Sequence, residues 1–337
     1  MSKIEYDENL WPLGCSWIYP RSEKKKKIFR YMVIGAHPDD PDLLTGGLAL
    51  KLIQRGHKVK YVALTNGNMG HQIMGPIELA ARELEETKKA CEVLGVEYEC
   101  LNIDDGKVYV NHENLGKVIG VIRKFDPDVV ITHRLNDYHR DHRYTAQLVM
   151  DASYMLIVPH YFPEYPIPSS RKMPIFMYSY DRFQKPYKFI PHVLVDITDV
   201  YEKKAEAIIN HVSQMMEWLP WTMNMENMVP PDYDRKMQLE VLELLMQHVY
   251  AGVMSNYREL WKKGFKKKPR YGEVYEICEY GTQPSKAQLK ELFPDSYVPT
   301  EEELEDLEKS DFYKTINKLE KRIEILEKKI EELSKSK

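Results

Sequence analysis

From residue 28 onward the chain alternates short apolar runs with longer amphipathic stretches. Ile28 to Ala36 (IFRYMVIGA) is β-branched, apolar and closed by small residues, which predicts a buried strand. Lys58 to Leu64 predicts a second strand, Pro76 to Leu94 a long amphipathic helix closed by Gly95, and Glu97 to Leu101 a third strand. Asn114 to Phe125 reads as helix, Asp128 to Thr132 (DVVIT) as a fourth strand, and Tyr144 to Leu156 as helix again. Strands separated by helices need parallel crossovers, and parallel strands need both faces of their sheet covered. The expected fold class is therefore α/β, a doubly wound, mostly parallel, Rossmann-like sheet within a domain spanning residues 28–290.

The second half has a different texture. Val158 to Ser170 (VPHYFPEYPIPSS) holds four prolines and predicts an ordered loop. Ile175 to Tyr180 and Phe189 to Ile197 are strand candidates; Val200 to about Trp218 and Lys236 to Leu260 read as helices. Between those helices, Met215 to Pro231 mixes methionine, tryptophan and proline at no fixed period, an irregular segment suited to the core or to a lid. At the far end Phe312, Ile316, Leu319, Ile323, Leu326, Ile330 and Leu333 alternate by four and three. Isoleucine at a with leucine at d predicts a C-terminal coiled-coil helix over 300–337, and a homo-oligomer joined through it. Residues 1–27, with Trp11, Trp17 and Tyr19, are expected to form an N-terminal arm.

Composition narrows the function. With 43% hydrophobic and 30% charged residues and a net charge of −4, the chain is neither disordered nor a polycationic nucleic-acid binder. No window approaches the roughly 18 apolar residues of a membrane span, and the N-terminus lacks a basic then apolar leader, so a cytoplasmic protein is expected. Cys15, Cys91, Cys100 and Cys278 form no CxxC pair, which argues against a disulfide framework and against a thiolate zinc site.

The first strand runs into Gly35-Ala36-His37-Pro38-Asp39-Asp40 where a dinucleotide binder would show a glycine-rich turn. Open α/β sheets bind ligands at the carboxyl ends of their strands, and this end offers a histidine and two carboxylates. His37 and Asp40 could close on one cation while Asp39 points elsewhere. Beyond strand four lies a second polar cluster, His133 to His142 (HRLNDYHRDH), so two clusters converge on one crevice. Three nitrogen or oxygen ligands with an open fourth position describe catalytic zinc, and a carboxylate beside the metal-activated water would serve as general base. A purely structural zinc would be closed by four ligands rich in cysteine.

On these residues the sequence resembles the PIG-L or LmbE-like zinc deacetylases. The resemblance is carried by AHPDDPDLLTGG (36–47), LTNGNMG (64–70), Arg82 with the ELEETKKACEVLGV that follows it, Pro127-Asp128-Val129-Val130, NDYHRDH (136–142) and a weaker HVSQ echo (211–214). It implies an LmbE-like fold and a zinc-dependent hydrolase that frees acetate and an amine from an N-acetylglucosamine-containing sugar or glycoconjugate. It also implies metal on His37, Asp40 and His142, and Asp39 as general base. His139 then lies near the substrate carbonyl, Tyr138 is a further candidate donor, and Asp141 partners either His139 or a ligand. The chain departs from the family at Asp42, where many members have Glu, and at Arg140, where proline is frequent. Zinc is the first choice of cofactor, although Fe(II) and Co(II) suit the same donors.

Substrate-binding candidates are Arg82, Asn66 and His211. Arg82 could reach sugar hydroxyls or a phosphate, or pair with Glu78 and Glu86. Asn66 follows strand two and faces the same crevice, and His211 opens the HVSQ echo. Tyr161, Tyr165, Trp218 and Trp221 are candidate stacking faces. Two alternatives accompany the deacetylase reading: a metallohydrolase of the same fold acting on another N-acyl or phosphoester bond, and a non-catalytic metal-dependent sugar-binding or assembly protein.

Overall fold

The computed structural model describes residues 28–229 and 234–307. The arm over 1–27 and the coiled-coil seam from Phe312 to Leu333 lie outside the described residues. Five strands form the parallel half: β1 (Arg30–Gly35), β2 (Lys58–Thr65), β3 (Glu97–Ile103), β4 (Val129–Thr132) and β5 (Ile175–Ser179). Their spatial order is β3-β2-β1-β4-β5, and every neighbouring pair in it is parallel. The helices α1 (Asp40–Gln54), α2 (Pro76–Leu94), α3 (His112–Phe125) and α4 (Arg140–Met155) make the crossovers.

Strand alternation assigns the two faces. Tyr31 and Val33 pack with Leu48, Leu52, Ala90 and Leu94 of α1 and α2. Met32 and Ile34 between them turn the other way, onto Val118 and Ile122 of α3 and Leu148 and Val149 of α4. The winding therefore reverses between β1 and β4, and the crevice at such a switch point is where an open α/β sheet receives ligand.

Beyond β5 the sheet is mixed, which corrects the mostly parallel expectation. β6 (Val193–Asp196) and β7 (Gly272–Gly281) complete it with the short β8 (Ser296–Tyr297), and the order runs on as β5-β7-β6-β8 through antiparallel pairings. β7 was not legible as a strand because residues 272–281 follow a lysine-rich turn and alternate imperfectly. The single helix expected over 200–218 is two elements: α5 (Tyr201–Ile208), a turn holding His211, and a π-helix over Ser213–Trp218 that continues into the one-turn α6 (Leu219–Thr222). The helix expected over 236–260 breaks at Tyr257 into α7 (Arg235–Asn256) and α8 (Arg258–Gly264). α9 (Lys286–Leu292) precedes β8, and the compact unit extends to Val298. Residues 299–337 are a separate unit; its described part, a helix over 301–307, opens on a reciprocal cap between Thr300 and Glu303.

The two halves of the sheet are tied together inside α1. Glu273 of β7 accepts the backbone N–H groups of Gly47 and Leu48 through its two carboxylate oxygens, each at 2.8 Å. Lys204 of α5, fully buried, donates to Glu273 (2.7 Å) and to the carbonyl of Leu43 (2.9 Å). The ion pair thus sits within the helix's own hydrogen-bond ladder, with both charges satisfied. Removing one partner leaves the other charge buried and unpaired, so Glu273→Leu is expected to cost about 3–5 kcal/mol in urea unfolding, with the Glu273→Leu/Lys204→Met double variant recovering part of that loss. A single-variant cost below about 1 kcal/mol would show that the pair is not structural.

Candidate metal centre and active site

The turn from β1 into α1 is tight because residue 35 is glycine. A Cβ there would meet Asp40 Cβ at 2.7 Å and Pro41 Cδ at 2.9 Å, so only glycine lets the first turn of α1 fold back over the strand end. Asp40 is buried, and its Oδ2 accepts N–H from Ala36 (2.9 Å) and His37 (2.7 Å). Across the switch point, β4 delivers His133, whose Nε2 lies 3.1 Å from the same oxygen. His139 caps α4 by accepting the Asp141 N–H on Nδ1 (3.1 Å). The helix therefore begins four residues earlier than expected, with Asp141 and His142 on its first turn.

Three donors converge between these helix starts. His142 Nε2 is 3.2 Å from His37 Nδ1 and 3.4 Å from Asp40 Oδ1, and His37 Nδ1 is 3.4 Å from Asp40 Oδ2. Ligands about 2.0–2.1 Å from a tetrahedral ion stand about 3.3 Å apart, the spacing that His142 Nε2 keeps from both His37 Nδ1 and Asp40 Oδ1. The His142 imidazole is backed by a hydrogen-bonded carboxylate, and the outer nitrogen of His37 also has a carboxylate nearby. Asp137 Oδ1 lies 3.1 Å from His142 Nδ1, leaving Nε2 to face the centre. Fully buried Asp141 accepts the Gly106 N–H (2.6 Å) and stands 3.7 Å from His37 Nε2. Asp141 thus backs His37 rather than His139.

Electrostatics separates the two adjacent aspartates. Burial alone would raise the Asp40 carboxyl, but His142, His133 and its hydrogen bonds hold it well below the usual carboxylate range. Asp39 is raised instead, by burial and by the Asp40 charge next to it. No side chain of another described residue hydrogen-bonds or ion-pairs with Asp39, which lines the cavity beside the donors. His139 is lowered by burial and by His37, so it is neutral; its bond to the Asp141 N–H leaves the proton on Nε2. Tyr138 is 74% exposed at the rim, its ring 5.5 Å from that of His142.

The cavity has a volume of about 370 Å3, at the small end of ligand sites. Its far wall is Glu83, Asp105, Gln214 and Trp218, and no Lys or Arg is among its described lining residues. Two of these residues come from the π-helix, a distortion that often marks functional sites. The predicted substrate residues fall elsewhere. Arg82 is held by Glu86 (2.9 Å) and by both carboxylate oxygens of Glu217 (2.9 and 2.5 Å), tying the π-helix to α2. Asn66 bonds Asn102 and lines a larger groove of about 760 Å3 along α2 and β3, which holds none of the His and Asp donors. His211 is buried, with Nε2 2.6 Å from Asp42.

His133, Asp137, Glu83 and Asp105 received no role from the sequence. Asp105 lies just past β3, which runs to Ile103 rather than Leu101, so the strand-end rule would have found it. Glu83 stands on the buried stripe of α2 with Leu79, Ala90 and Leu94, where an acid is out of place on packing grounds.

Comparison with known proteins follows the same geometry. The PIG-L family model, described as GlcNAc-PI de-N-acetylase, matches residues 32–153. Diacetylchitobiose deacetylase of Thermococcus kodakarensis is 31% identical over 229 residues, 64% of this chain and 82% of that one. The 4-oxalmesaconate hydratase of Pseudomonas putida is 26% identical over 200 residues, 57% of this chain and 76% of that protein. Among solved structures, N,N'-diacetylchitobiose deacetylase from Pyrococcus horikoshii superposes with a TM-score of 0.54 at 25% identity, covering 74% of this chain and 83% of that one.

Glu83 offers a test of the cavity's electrostatics. It accepts a 2.6 Å hydrogen bond from Gln214, and burial together with Asp39 and Asp105 pushes its carboxyl up to about 10. The folded protein therefore keeps a proton that the unfolded chain releases above about pH 4.5, and stability falls as pH rises from that value toward about 10. Glu83→Gln is expected to gain on the parent steadily over this window, by at most about 1.4 kcal/mol per pH unit in denaturant unfolding. A stability difference independent of pH would mean that Glu83 is ionised in the fold.

Proposed function

The chain belongs to the PIG-L family, and from that footing we propose that it is a zinc-dependent hydrolase removing the N-acetyl group from a neutral N-acetylglucosamine-containing sugar. One observation carries the reading: a raised carboxyl, Asp39, with no side-chain partner among the described residues, stands beside His37, Asp40 and His142, with His142 Nε2 at ligand spacing from His37 Nδ1 and Asp40 Oδ1. Fe(II) and Co(II) suit the same donors. A divalent ion held there would supply Lewis acidity toward the acyl carbonyl and the attacking water. Asp39 takes the proton of that water and passes it to the amide nitrogen, so that acetate and a free amine leave. His139, neutral with its proton on Nε2, donates to the oxygen on which negative charge develops, and Tyr138 at the rim is a second donor. Asp137 and Asp141 keep the two imidazoles aimed while this happens.

Trp218 offers a face for a sugar ring, and Gln214 and Asp105 offer acceptors for its hydroxyls. The likeness to 4-oxalmesaconate hydratase raises a second reading, hydration of an unsaturated polycarboxylate. The absence of Lys and Arg from the described lining favours the neutral sugar. A binding protein without chemistry would have no use for a base placed as Asp39 is.

The test is release of primary amine, read with a fluorogenic reagent, from a panel of N-acetylglucosamine compounds. Metal-stripped protein should be inactive and zinc-restored protein active. Asp39→Asn should bind zinc normally and lose about 10²- to 10⁴-fold in kcat. Turnover of 4-oxalmesaconate with no amine from any sugar would select the hydratase instead.

A further inference from the structure

We infer that His133 is a positioning residue that confines Asp40 to one metal-facing oxygen and so keeps the centre to a single ion; this rests on the metal-dependent reading above. His133 is the first residue past β4, 4% exposed, and opens the polar cluster beyond strand four without a role assigned to it there. Its Nε2 is 3.1 Å from Asp40 Oδ2, and its ring lies flat on that of His142, with centroids 4.0 Å apart and planes 7° from parallel. Because Nδ1 of His142 is turned to Asp137 and its Nε2 to the centre, the stack also fixes the plane in which His142 presents that nitrogen.

The argument is a count of donors. Asp40 Oδ2 already receives the Ala36 N–H at 2.9 Å and the His37 N–H at 2.7 Å. The Ala36 N–H also lies 3.2 Å from His133 Nε2, but its path to the carboxylate is shorter and ends on a charged acceptor, so Nε2 carries its proton toward Oδ2. An oxygen surrounded by three donors has no lone pair left for a cation. Only Oδ1, 3.4 Å from His142 Nε2, remains available, and Asp40 can neither chelate one ion with both oxygens nor bridge two. Asp40, His133 and His142 could by proximity alone form a metal triad of their own. The direction of the His133 proton assigns it behind the ligand rather than in the ligand set.

His133→Phe keeps the flat ring against His142 and deletes the donor, whereas His133→Gln restores an N–H near the Nε2 position. Zinc affinity by chelator competition, metal stoichiometry, and X-ray absorption of the Co(II)-substituted protein read the outcome without any substrate. The parent should bind one ion with two imidazoles and one carboxylate oxygen. His133→Phe should keep two imidazoles, gain a second carboxylate oxygen in the shell, and lose about 10- to 100-fold in affinity. His133→Gln should recover most of that loss. Loss of an imidazole from the Co(II) shell in His133→Phe would make His133 a ligand and overturn the inference, as would affinity equal to the parent's. A parent that takes up no metal would remove the metal-dependent reading and the inference together. Should the Phe variant fail to fold, His133→Met against His133→Gln supplies the same comparison, judged by the same outcomes.

Discussion

The proposed active centre hangs from the first turn of α1, and that helix is held from outside its own ladder. Glu273 takes the N–H groups of Gly47 and Leu48, and Lys204 takes the carbonyl of Leu43. Two turns upstream, Asp40 closes the helix back onto β1 through the N–H groups of Ala36 and His37. A helix fixed at both places has little freedom to slide, so Asp39 and Asp40 keep their separate aims. Ligands placed on rigid elements and buttressed by further hydrogen bonds hold their geometry before any ion arrives.

Around that fixed point the charges are layered. Asp137 and Asp141 lie behind the imidazoles, His133 lies behind the carboxylate, and the nitrogens and Oδ1 face inward. The same layering makes two neighbouring aspartates unlike: Asp40 is surrounded by donors and stays ionised, while Asp39 has burial and a like charge beside it. Environments that push neighbouring titratable groups apart are how one site obtains both a ligand and a proton carrier.

The parallel half was legible in the sequence because β1, β2, β4 and β5 are buried along nearly their whole length and carry apolar runs, and because Gly95 marks the end of α2 with φ of 76°. The motif residues were legible since both clusters sit just past strand ends. The antiparallel half was harder, because β7 carries Glu273 and Glu276 inside, and buried acids break an apolar pattern for reasons visible only once Lys204 and Arg134 are in place. The far wall of the cavity was hidden for a similar reason. Gln214 and Trp218 face it only because residues 213–218 wind as a π-helix, and helical periodicity assumes 3.6 residues per turn. Arg82 pairs with Glu86, one of the partners its helix spacing offered, while its other partner, Glu217, was hidden because it lies 135 residues away in sequence.

The insertion of β7 between β5 and β6 has a bearing on how the protein is made. Glu273 reaches Gly47 across 226 residues, so the motif-bearing helix is synthesised long before the strand that completes it. Until β7 enters the sheet, the Gly47 and Leu48 N–H groups and Lys204 are without the Glu273 carboxylate. Such distant pairing raises contact order and slows folding. A nascent chain carrying every recognisable motif is thus still without a fixed centre, and competence for chemistry arrives only with the final quarter of the compact unit.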